Sequence, residues 1–427
     1  MRIAFIGGFA FSPKGTMRAR AHPLAMELVR LGHEVTIFLP PYDNLADCGR
    51  GWQQEGVAVR NVGSERNRFH PQWSRLPLYT RLLSGLIHEV RRYRPDVIHV
   101  FKPKGFAGAA ATYFLLRGAP PVVLDCDDWE GWGGWNEIKS YPWVLKEFID
   151  RQERWLIKRA QAITVASRTL EARTINMRRH PSSVFYIPNC GASKEGGKTQ
   201  EAVRALPRAD VRSEFGLDDH PVVLYSGHFE DRDSVAFFCR AAAPVAAKHG
   251  AVLAFVGNDA PRSIIRQNFP DAARVQLRLF PQLPYEDFLG LVWASDVAAF
   301  PYPDDSVHRA KCSARITDYM AMERAVLTSA VGQNLEYIVD GESGLLAAPD
   351  DGSDFTAKLD RLLSEPELRV RLGENARKRL QQKFDWARGA LHCLVAYDCA
   401  LKTDKHPERS QPDLRSEVVT HRDRSAA

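Results

Sequence analysis

A polar loop that leads into an amphipathic helix carries the residue types best suited to bind a phosphate. The apolar run that ends at Phe300 predicts a strand, and a helix is predicted to begin near Ser313, a typical N-cap residue. The free N–H groups of a helix start, together with Lys311 and Arg315, favour an anion such as a phosphate. Asp318, one turn further along, could accept hydrogen bonds from a ribose diol. A basic, solvent-facing helix start capped by serine would give the same pattern.

Two glycines follow the first predicted strand and could let the backbone approach a ligand closely. Gly7 and Gly8 are succeeded by further donors suited to an anion, namely Lys14, Gly15, Thr16 and Arg18. The turn does not match the G-x-G-x-x-G pattern, and Pro40-Pro41 stands where an acidic residue would end the second strand. A nicotinamide-dependent oxidoreductase is therefore disfavoured. Gly7 and Gly8 are donor-site candidates, or they merely turn the chain.

The elements that must position these residues follow from an alternation of short apolar runs with amphipathic segments. Helices are predicted at 18–31, 78–92 and 143–159, with the buried parallel strands of βαβ units between them. The alternation restarts after a polar, glycine-containing stretch at 192–200. We therefore predict an α/β protein with two doubly wound domains, whose ligand crevices form one deep cleft.

Composition restricts the class of protein. The 427 residues are 44% hydrophobic and 26% charged, which excludes a mostly disordered or fibrous chain. The net charge of +6 is dispersed, so nucleic acid is not an expected partner, while phosphate ligands are permitted. Seven cysteines without a C-x-x-C pair argue against a disulfide framework and a zinc site, and they fit a reducing cytoplasm.

Two segments of the sequence have features that bear on membrane association. The longest weakly polar stretch, 105–116, is shorter than the ~20 residues that span a bilayer. The helix at 78–94 carries an apolar stripe opposite arginines, which would suit peripheral contact with an anionic membrane or packing in the core. We expect a cytoplasmic protein, with peripheral contact at the inner face of the membrane as a further expectation.

Several motifs occur in the same order as in a known family. Residues 313–326 resemble the S-P-x-K-x-x-E-Y-M-A-x-G-x-P-V-V signature of the glycosyltransferase family 4 group, the retaining GT-B enzymes. Residues 331–346 resemble that family's G-G-x-x-E-x-x-x-D-G-x-x-G-x-L. Shorter similar segments are I-P-N-C-G at 187–191, F-D-W at 384–386 and G-H-E-V at 32–35. The resemblance covers most of the chain up to about Leu401.

The resemblance implies GT-B architecture, with two Rossmann-like domains and a final helix that crosses back to the first. It implies metal-independent transfer of a hexose or related sugar from a nucleoside diphosphate sugar to a hydroxyl acceptor, with retention, as in cell-envelope or polysaccharide biosynthesis. Both ligands are substrates, so no cofactor is expected. The implied segments are an acceptor domain, a connection, a donor domain, a crossing helix and a disordered tail, at 1–190, 191–220, 221–384, 385–402 and 403–427.

The resemblance also implies roles for individual residues. Arg232 and Lys311 are the catalytic candidates that would stabilise the leaving diphosphate, and Asp127 would orient the acceptor. The donor-binding candidates are Gly7, Gly8, Gly227, Ser313, Arg315 and Asp318, the last as the ribose contact.

The chain departs from the family pattern at several of these positions. Ala310 and Asp318 stand where members usually carry two glutamates, His228 stands where an arginine is usual, and Asp127 replaces a histidine. These departures keep open a second hypothesis, a non-catalytic sugar-nucleotide binding protein of the same fold.

A metal site is a weaker alternative at the same strand. Asp125 and Asp127 match the short D-x-D pattern of the other large glycosyltransferase fold, in which carboxylates hold a divalent ion on the diphosphate. Acidic residues that cap the next helix explain the pattern more simply, so no metal is expected. The following tryptophans, Trp129, Trp132 and Trp135, could stack on an acceptor or belong to an ordinary packed loop.

Overall fold

Two parallel α/β sheets, one in each half of the chain, form the framework of the molecule. The computed structural model describes residues 1–12, 15–64, 75–178, 181–191, 198–217, 219–227, 229, 232–257, 265, 267–268 and 275–405. The predicted fold class, α/β with two doubly wound domains, is confirmed.

The first sheet has the strand order β3-β4-β2-β1-β5-β6-β7-β8, and only β3 runs antiparallel to its neighbour. Its strands are β1 (Arg2–Ile6), β2 (Glu34–Leu39), β3 (Gly51–Gln54), β4 (Val57–Asn61), β5 (Val97–Phe101), β6 (Val122–Cys126), β7 (Ala162–Val165) and β8 (Val184–Tyr186). Strands β5 and β6 are buried throughout, as expected for a parallel sheet covered on both faces. Their polar exceptions, His99 and Asp125, are both hydrogen-bonded.

Helices connect these strands and cover the sheet. A π-helical turn at Met17–Ala21 runs directly into the first helix. The helices are α1 (His22–Arg30), α2 (Arg75–Tyr93), α3 (Gly105–Arg117), α4 (Trp135–Ile138), α5 (Trp143–Arg159) and α6 (Arg168–Met177), with short 3-10 turns at Leu45–Asp47 and Pro181–Ser183. The chain therefore enters the first crevice through the π-helical turn, which follows β1.

The second sheet is entirely parallel, with the order β11-β10-β9-β12-β13-β14. Its strands are β9 (Val222–Ser226), β10 (Val252–Val256), β11 (Gln276–Phe280), β12 (Val297–Phe300), β13 (Ala325–Ser329) and β14 (Leu345–Ala347). The helices are α7 (Lys198–Ala205), α8 (Arg208–Glu214), α9 (Arg232–His249), α10 (Tyr285–Ala294), α11 (Ser306–Ala310), α12 (Ala314–Ala321), α13 (Asn334–Tyr337), α14 (Gly352–Ser364), α15 (Pro366–Lys383) and α16 (Trp386–Lys405).

The connection predicted at 191–220 contains more structure than its polar composition indicates. Helices α7 and α8 lie within it and pack against α10 of the second domain. Val203 and Val211 are buried, so a few well-spaced apolar residues suffice to anchor two short amphipathic helices. Residues 192–197 lie outside the described residues.

The last helix crosses from the second domain back to the first. Helix α16 packs against α1 and against strands β6, β7 and β8 of the first sheet. It continues to Lys405, three residues beyond the predicted end at 402. The predicted disordered tail at 403–427 therefore begins inside the helix, and its remainder, 406–427, lies outside the described residues.

Candidate functional site

A cleft of about 500 Å³ lies between the two domains, on the side where the strands of both sheets end. The first domain contributes the π-helical turn and the loop after β6, and the second contributes the start of α12 and the loop after β9. The residues that line the cleft and carry the argument below are Arg18, Arg20, Asp127, Asp128, Trp135, Gly227, Tyr285, Lys311, Ser313, Arg315 and Asp318.

The start of α12 is open towards the cleft. Ser313 occupies the predicted N-cap position, but its side chain makes no capping hydrogen bond, so it does not cover the first N–H groups of the helix. Lys311 precedes the helix, and its Nζ lies 4.9 Å from the centre of the Tyr302 ring and 5.7 Å from that of Trp135. The free helix start and the ammonium together favour an anion.

Arg315 lies on the same side of α12 and is fixed against the end of β9. Its Nη1 donates a hydrogen bond to the carbonyl oxygen of Ser226. A Cβ at position 227 would lie 2.8 Å from that Nη1, so Gly227 gives the guanidinium its space. Within the described part of the chain, neither Lys311 nor Arg315 forms an ion pair with a carboxylate. Two cations therefore face the cleft, and neither has an ion-pair partner in the described part of the chain.

Asp318 is half-buried beside a tyrosine at the far side of this cluster. The hydroxyl of Tyr285 donates to its Oδ1 at 2.7 Å, and Arg18 of the first domain lies over the Tyr285 ring at 5.8 Å. Burial raises the pKa of Asp318 to about 7, although the hydrogen bond from Tyr285 opposes the shift. Oδ1 thus already accepts a hydrogen bond. A ligand would either replace Tyr285 at Oδ1 or donate to the other carboxylate oxygen.

Binding of a nucleoside diphosphate is expected to strengthen as the pH rises from about 6 to about 8. Ribose hydroxyls donate to the ionised carboxylate of Asp318, which is only partly ionised in the free protein at neutral pH. Affinity should therefore rise by up to about tenfold over this interval. Calorimetric titration at three pH values measures the effect. Asp318→Asn is the control, because it retains the titration of the phosphates; equal slopes in both proteins would exclude a ribose role for Asp318.

The loop after β6 brings acidic residues to the opposite wall of the cleft. Asp127 is 9% exposed, and burial raises its pKa to about 6 against the attraction of Lys102. Asp128 also lines the cleft. With Glu130 they form a group of three carboxylates whose oxygens lie within 4.8 Å of one another, a spacing that could hold a metal ion. The Lys102 ammonium lies among them, within 3.2 Å of each carboxylate.

Asp125 does not belong to this acidic group. Arg20 donates to both of its oxygens, from Nε at 2.8 Å and from Nη2 at 2.7 Å, and Thr164 donates to Oδ2 at 2.6 Å. Arg20 holds the pKa of this carboxyl below its usual value, although burial opposes ionisation. Both carboxylate oxygens are therefore used inside the protein, and the D-x-D alternative for a metal site is wrong at Asp125.

The remaining predicted residues lie elsewhere. A Cβ on Gly7 would come within 2.5 Å of Leu39 Cδ2, so this glycine serves close packing within the first domain, whereas Gly8 has no such restriction. Arg232 is the exposed first residue of α9. None of the three is among the described residues that line the cleft. Their assignment to donor binding or catalysis stays a prediction, and His228 lies outside the described residues.

Of the three tryptophans after β6, Trp135 lines the cleft. Trp129 packs against Gly133 and Gly134, where a Cβ would come within 2.7 Å of its atoms, and Trp132 Nε1 donates to Glu147 at 3.2 Å. The loop is therefore mainly a packed structure that presents one aromatic face to the ligand space.

The predicted membrane-facing stripe is part of the core. Leu82 and Leu86 of α2 are buried, and Leu83 and Ile87 are partly buried against the same core, so helix packing accounts for the stripe. Peripheral membrane contact stays a prediction. Among the described residues, no helix is long and apolar enough to cross a bilayer.

Sequence reasoning missed three residues that line the cleft, Arg20, Asp128 and Tyr285, and a fourth, Lys102, that lies behind its wall against Asp127 and Asp128. All four are far apart in sequence from the residues that they contact, as the 105-residue separation of Arg20 from Asp125 shows. Of these residues, Lys102 could most easily have been predicted from the sequence, because it directly follows a strand on the ligand side of the sheet.

Comparisons with known proteins agree with this geometry. Residues 15–190 match the family described as "Glycosyl transferase 4-like domain", and residues 220–365 match "Glycosyl transferases group 1". The chain is 25% identical over 281 residues to the alpha-D-kanosaminyltransferase of Streptomyces kanamyceticus, covering 63% of this chain and 69% of the relative.

Two solved structures have the same fold. Sucrose-phosphate synthase from Thermosynechococcus elongatus superposes with a TM-score of 0.70 at 20% identity, covering 93% of this chain and 98% of the other. Anabaena Alr3699/HepE in complex with UDP and glucose gives a TM-score of 0.67 at 15% identity, with 93% and 99% coverage. The two family matches, the two facing α/β domains and the crossing helix show that this chain belongs to the group 1 glycosyltransferases of the family 4 type, with the GT-B fold.

Proposed function

We propose that the chain is a retaining glycosyltransferase that moves a sugar from a nucleoside diphosphate sugar to a hydroxyl acceptor. The observation that carries the proposal is a pair of cations, Lys311 and Arg315, at the uncapped start of α12, where no described carboxylate forms an ion pair with either. A diphosphate supplies the missing negative charge and the acceptors for the free N–H groups. The structurally similar Anabaena protein was solved with UDP and glucose, which supports a donor of this class.

In the proposed reaction, the bond between the anomeric carbon of the sugar and the diphosphate oxygen breaks as negative charge grows on the diphosphate. Lys311, Arg315 and the helix amides are already oriented towards that charge, so they stabilise the transition state more than the ground state. The acceptor oxygen bonds to the anomeric carbon on the face that the diphosphate leaves. A phosphate oxygen takes the hydroxyl proton, so no protein residue needs to change its protonation state.

The acceptor hydroxyl would be held from the first domain. Asp127 and Asp128 lie across the cleft from the cations, and carboxylates accept hydrogen bonds from hydroxyl groups. Trp135 offers an aromatic face to a sugar ring on the same wall. The two substrates would therefore be held by different domains, and domain closure would bring them together and exclude water.

A thermal-shift screen of nucleoside diphosphate sugars, followed by transfer assays with methyl glycosides as acceptors, tests the proposal. The expected result is stabilisation by one donor and a product with the anomeric configuration of that donor, read by NMR. Inversion would contradict the retaining mechanism. Donor binding without transfer or hydrolysis would instead support the non-catalytic sugar-nucleotide binding protein.

Turnover of the donor is expected to be unaffected by excess chelator. The proposed site neutralises the diphosphate with Lys311 and Arg315 instead of a coordinated ion. Initial rates measured with and without EDTA should agree within about twofold. Removal of a metal that acts as a Lewis acid would cost several kcal/mol of transition-state stabilisation and lower the rate far more than that. Loss of turnover that Mn²⁺ or Mg²⁺ restores would show that a metal ion is required.

A further inference from the structure

One lysine ammonium is surrounded by three carboxylates on the first-domain wall of the cleft. Nζ of Lys102 lies 3.1 Å from Asp127 Oδ1, 2.6 Å from Asp128 Oδ2 and 3.2 Å from Glu130 Oε1. Three carboxylate oxygens this close together repel one another strongly unless a cation lies between them. The ammonium of Lys102 donates hydrogen bonds to Asp128 and Glu130, and it lies where a divalent ion held by the three carboxylates would lie.

The backbone holds Lys102 at this point in an unusual conformation. The residue directly follows β5 with a φ of 66°, in the left-handed region that side chains other than glycine seldom adopt. Its N–H donates to the carbonyl of Asp125 at 3.2 Å, and its own carbonyl accepts from Lys104 N at 2.8 Å. The strained turn directs the side chain inward, where it is 10% exposed.

The three carboxylates differ in the number of hydrogen bonds and ion contacts that they receive from the protein. Glu130 is 1% exposed and also contacts the ammonium of Lys104. Asp128 accepts a hydrogen bond from Lys102 at 2.6 Å. Asp127 has only the electrostatic contact, because its buried Oδ1 accepts no hydrogen bond from any described residue. Asp127 is therefore the least fully hydrogen-bonded of the three carboxylates, and it lines the cleft.

We propose that Lys102 is a positioning residue that acts as a permanent, built-in cation for the acceptor half of the site. It keeps Asp127 and Asp128 together at the wall of the cleft, where Asp127 would accept a hydrogen bond from the acceptor hydroxyl. The role of Asp127 rests on the proposed transfer reaction, whereas the role of Lys102 as the cation of the three carboxylates does not.

The first test is Lys102→Met, which keeps an unbranched side chain one atom shorter than lysine and removes its charge. The variant is expected to acquire a cation site, so Mn²⁺ alone should raise its melting temperature and give an EPR signal of bound ion. The wild type should show neither effect. Lys104→Met is the matched control, because it removes a neighbouring ammonium that contacts Glu130 but leaves Lys102 in place; it should resemble the wild type.

Activity supplies the second readout. With the donor and the methyl glycoside found in the screen, Lys102→Met should lower acceptor kcat/KM by about 10²-fold, the range for misplacing a reacting group by about 1 Å, and change donor affinity less than twofold. Mn²⁺ should restore part of the loss in this variant only. Lys102→Arg, which keeps the charge, should fold without a metal and raise the acceptor KM, because a planar guanidinium cannot face three carboxylates as an ammonium does.

The outcomes separate this proposal from the proposed function. If no acceptor is ever found, the response of Lys102→Met to Mn²⁺ still decides whether Lys102 is the cation of the group. If Lys102→Met folds only in the presence of Mn²⁺, the proposal is supported in its strongest form. It is overturned if Lys102→Met shows no response to Mn²⁺ in folding, melting or EPR, or if its acceptor kinetics equal those of the wild type.

Discussion

Replacing Arg20 with methionine is expected to lower the free energy of unfolding by about 3–5 kcal/mol, the range for removing one partner of a buried ion pair. The Arg20 side chain is 2% exposed and that of Asp125 is not exposed at all, so the variant would leave a buried carboxylate without its cation. The variant also loses the hydrogen bond from Arg20 Nη1 to Asn189 Oδ1, at 3.2 Å. Denaturant unfolding at neutral pH measures the effect.

The control for this prediction is Arg18→Met, two residues earlier in the same π-helical turn. Arg18 is exposed, and it should change stability by no more than about 0.5 kcal/mol. Equal losses in both variants would mean that the turn itself, and not the ion pair, sets the stability.

The loss of unfolding free energy in Arg20→Met should shrink as the pH falls. It shrinks first above about 4, the usual aspartate pKa, as the lone buried carboxyl of the variant takes up a proton, and then below about 4, as the wild type loses its own stabilisation. In the wild type, Arg20 lowers the folded-state pKa of Asp125, so the stabilisation is present above the unfolded-state pKa and disappears as the pH falls through the folded-state value. In the variant, burial without the arginine raises that pKa, so acid relieves the cost of the lone carboxylate. Stability curves measured at several pH values test this, and a constant difference would contradict it.

Replacing Lys311 with methionine is expected to lower kcat by about 10²–10³-fold, as for removal of one preorganised electrostatic donor. The ammonium faces the cleft without an ion-pair partner among the described residues, so its charge is available to the leaving diphosphate. The charge on the diphosphate grows in the transition state, and kcat should therefore fall by more than donor affinity does.

Steady-state kinetics and direct donor titration separate these two effects. Lys248→Met is the matched control, because Lys248 lies on the outer face of α9, is 61% exposed and pairs with Asp360. Its kcat should be unchanged. A loss in Lys311→Met confined to donor affinity would show that the lysine binds the ground state and transition state equally.

Local patterns were sufficient to predict most of the elements. The helix at Trp143–Arg159 has the predicted bounds, since its apolar residues recur with helical periodicity. The edge strand Gly51–Gln54 was missed because it is mostly exposed and its sequence, G-W-Q-Q, contains no apolar run. The helix at Gly105–Arg117 is not predicted by its sequence pattern, because it is apolar on nearly every side and lacks the alternation of apolar and polar faces.

The same distinction applies to the site. Lys311, Ser313 and Arg315 belong to one loop and one helix start, so their shared position could be predicted from local spacing. The cluster of Lys102 with Asp127, Asp128 and Glu130 depends on two strands that end next to each other and on a backbone turn with positive φ. A lysine in the sequence indicates neither of these features. The residues around Lys311, which are close together in the sequence, could therefore be predicted from it. The residues around Lys102, which the sheet brings together from separate segments, could be found only from the structure.

The crossing helix has a consequence for the order in which the molecule can be completed during synthesis. His99 lies inside the first sheet with no exposed surface, and its ring contacts Thr164 Oγ1 at 3.1 Å and the hydroxyl of Tyr397 at 2.9 Å. Tyr397 belongs to α16, which leaves the ribosome almost 300 residues after His99. Until the whole second domain has been made, His99 therefore has Thr164 but not Tyr397 as a partner, and the part of the first sheet that α16 covers stays exposed.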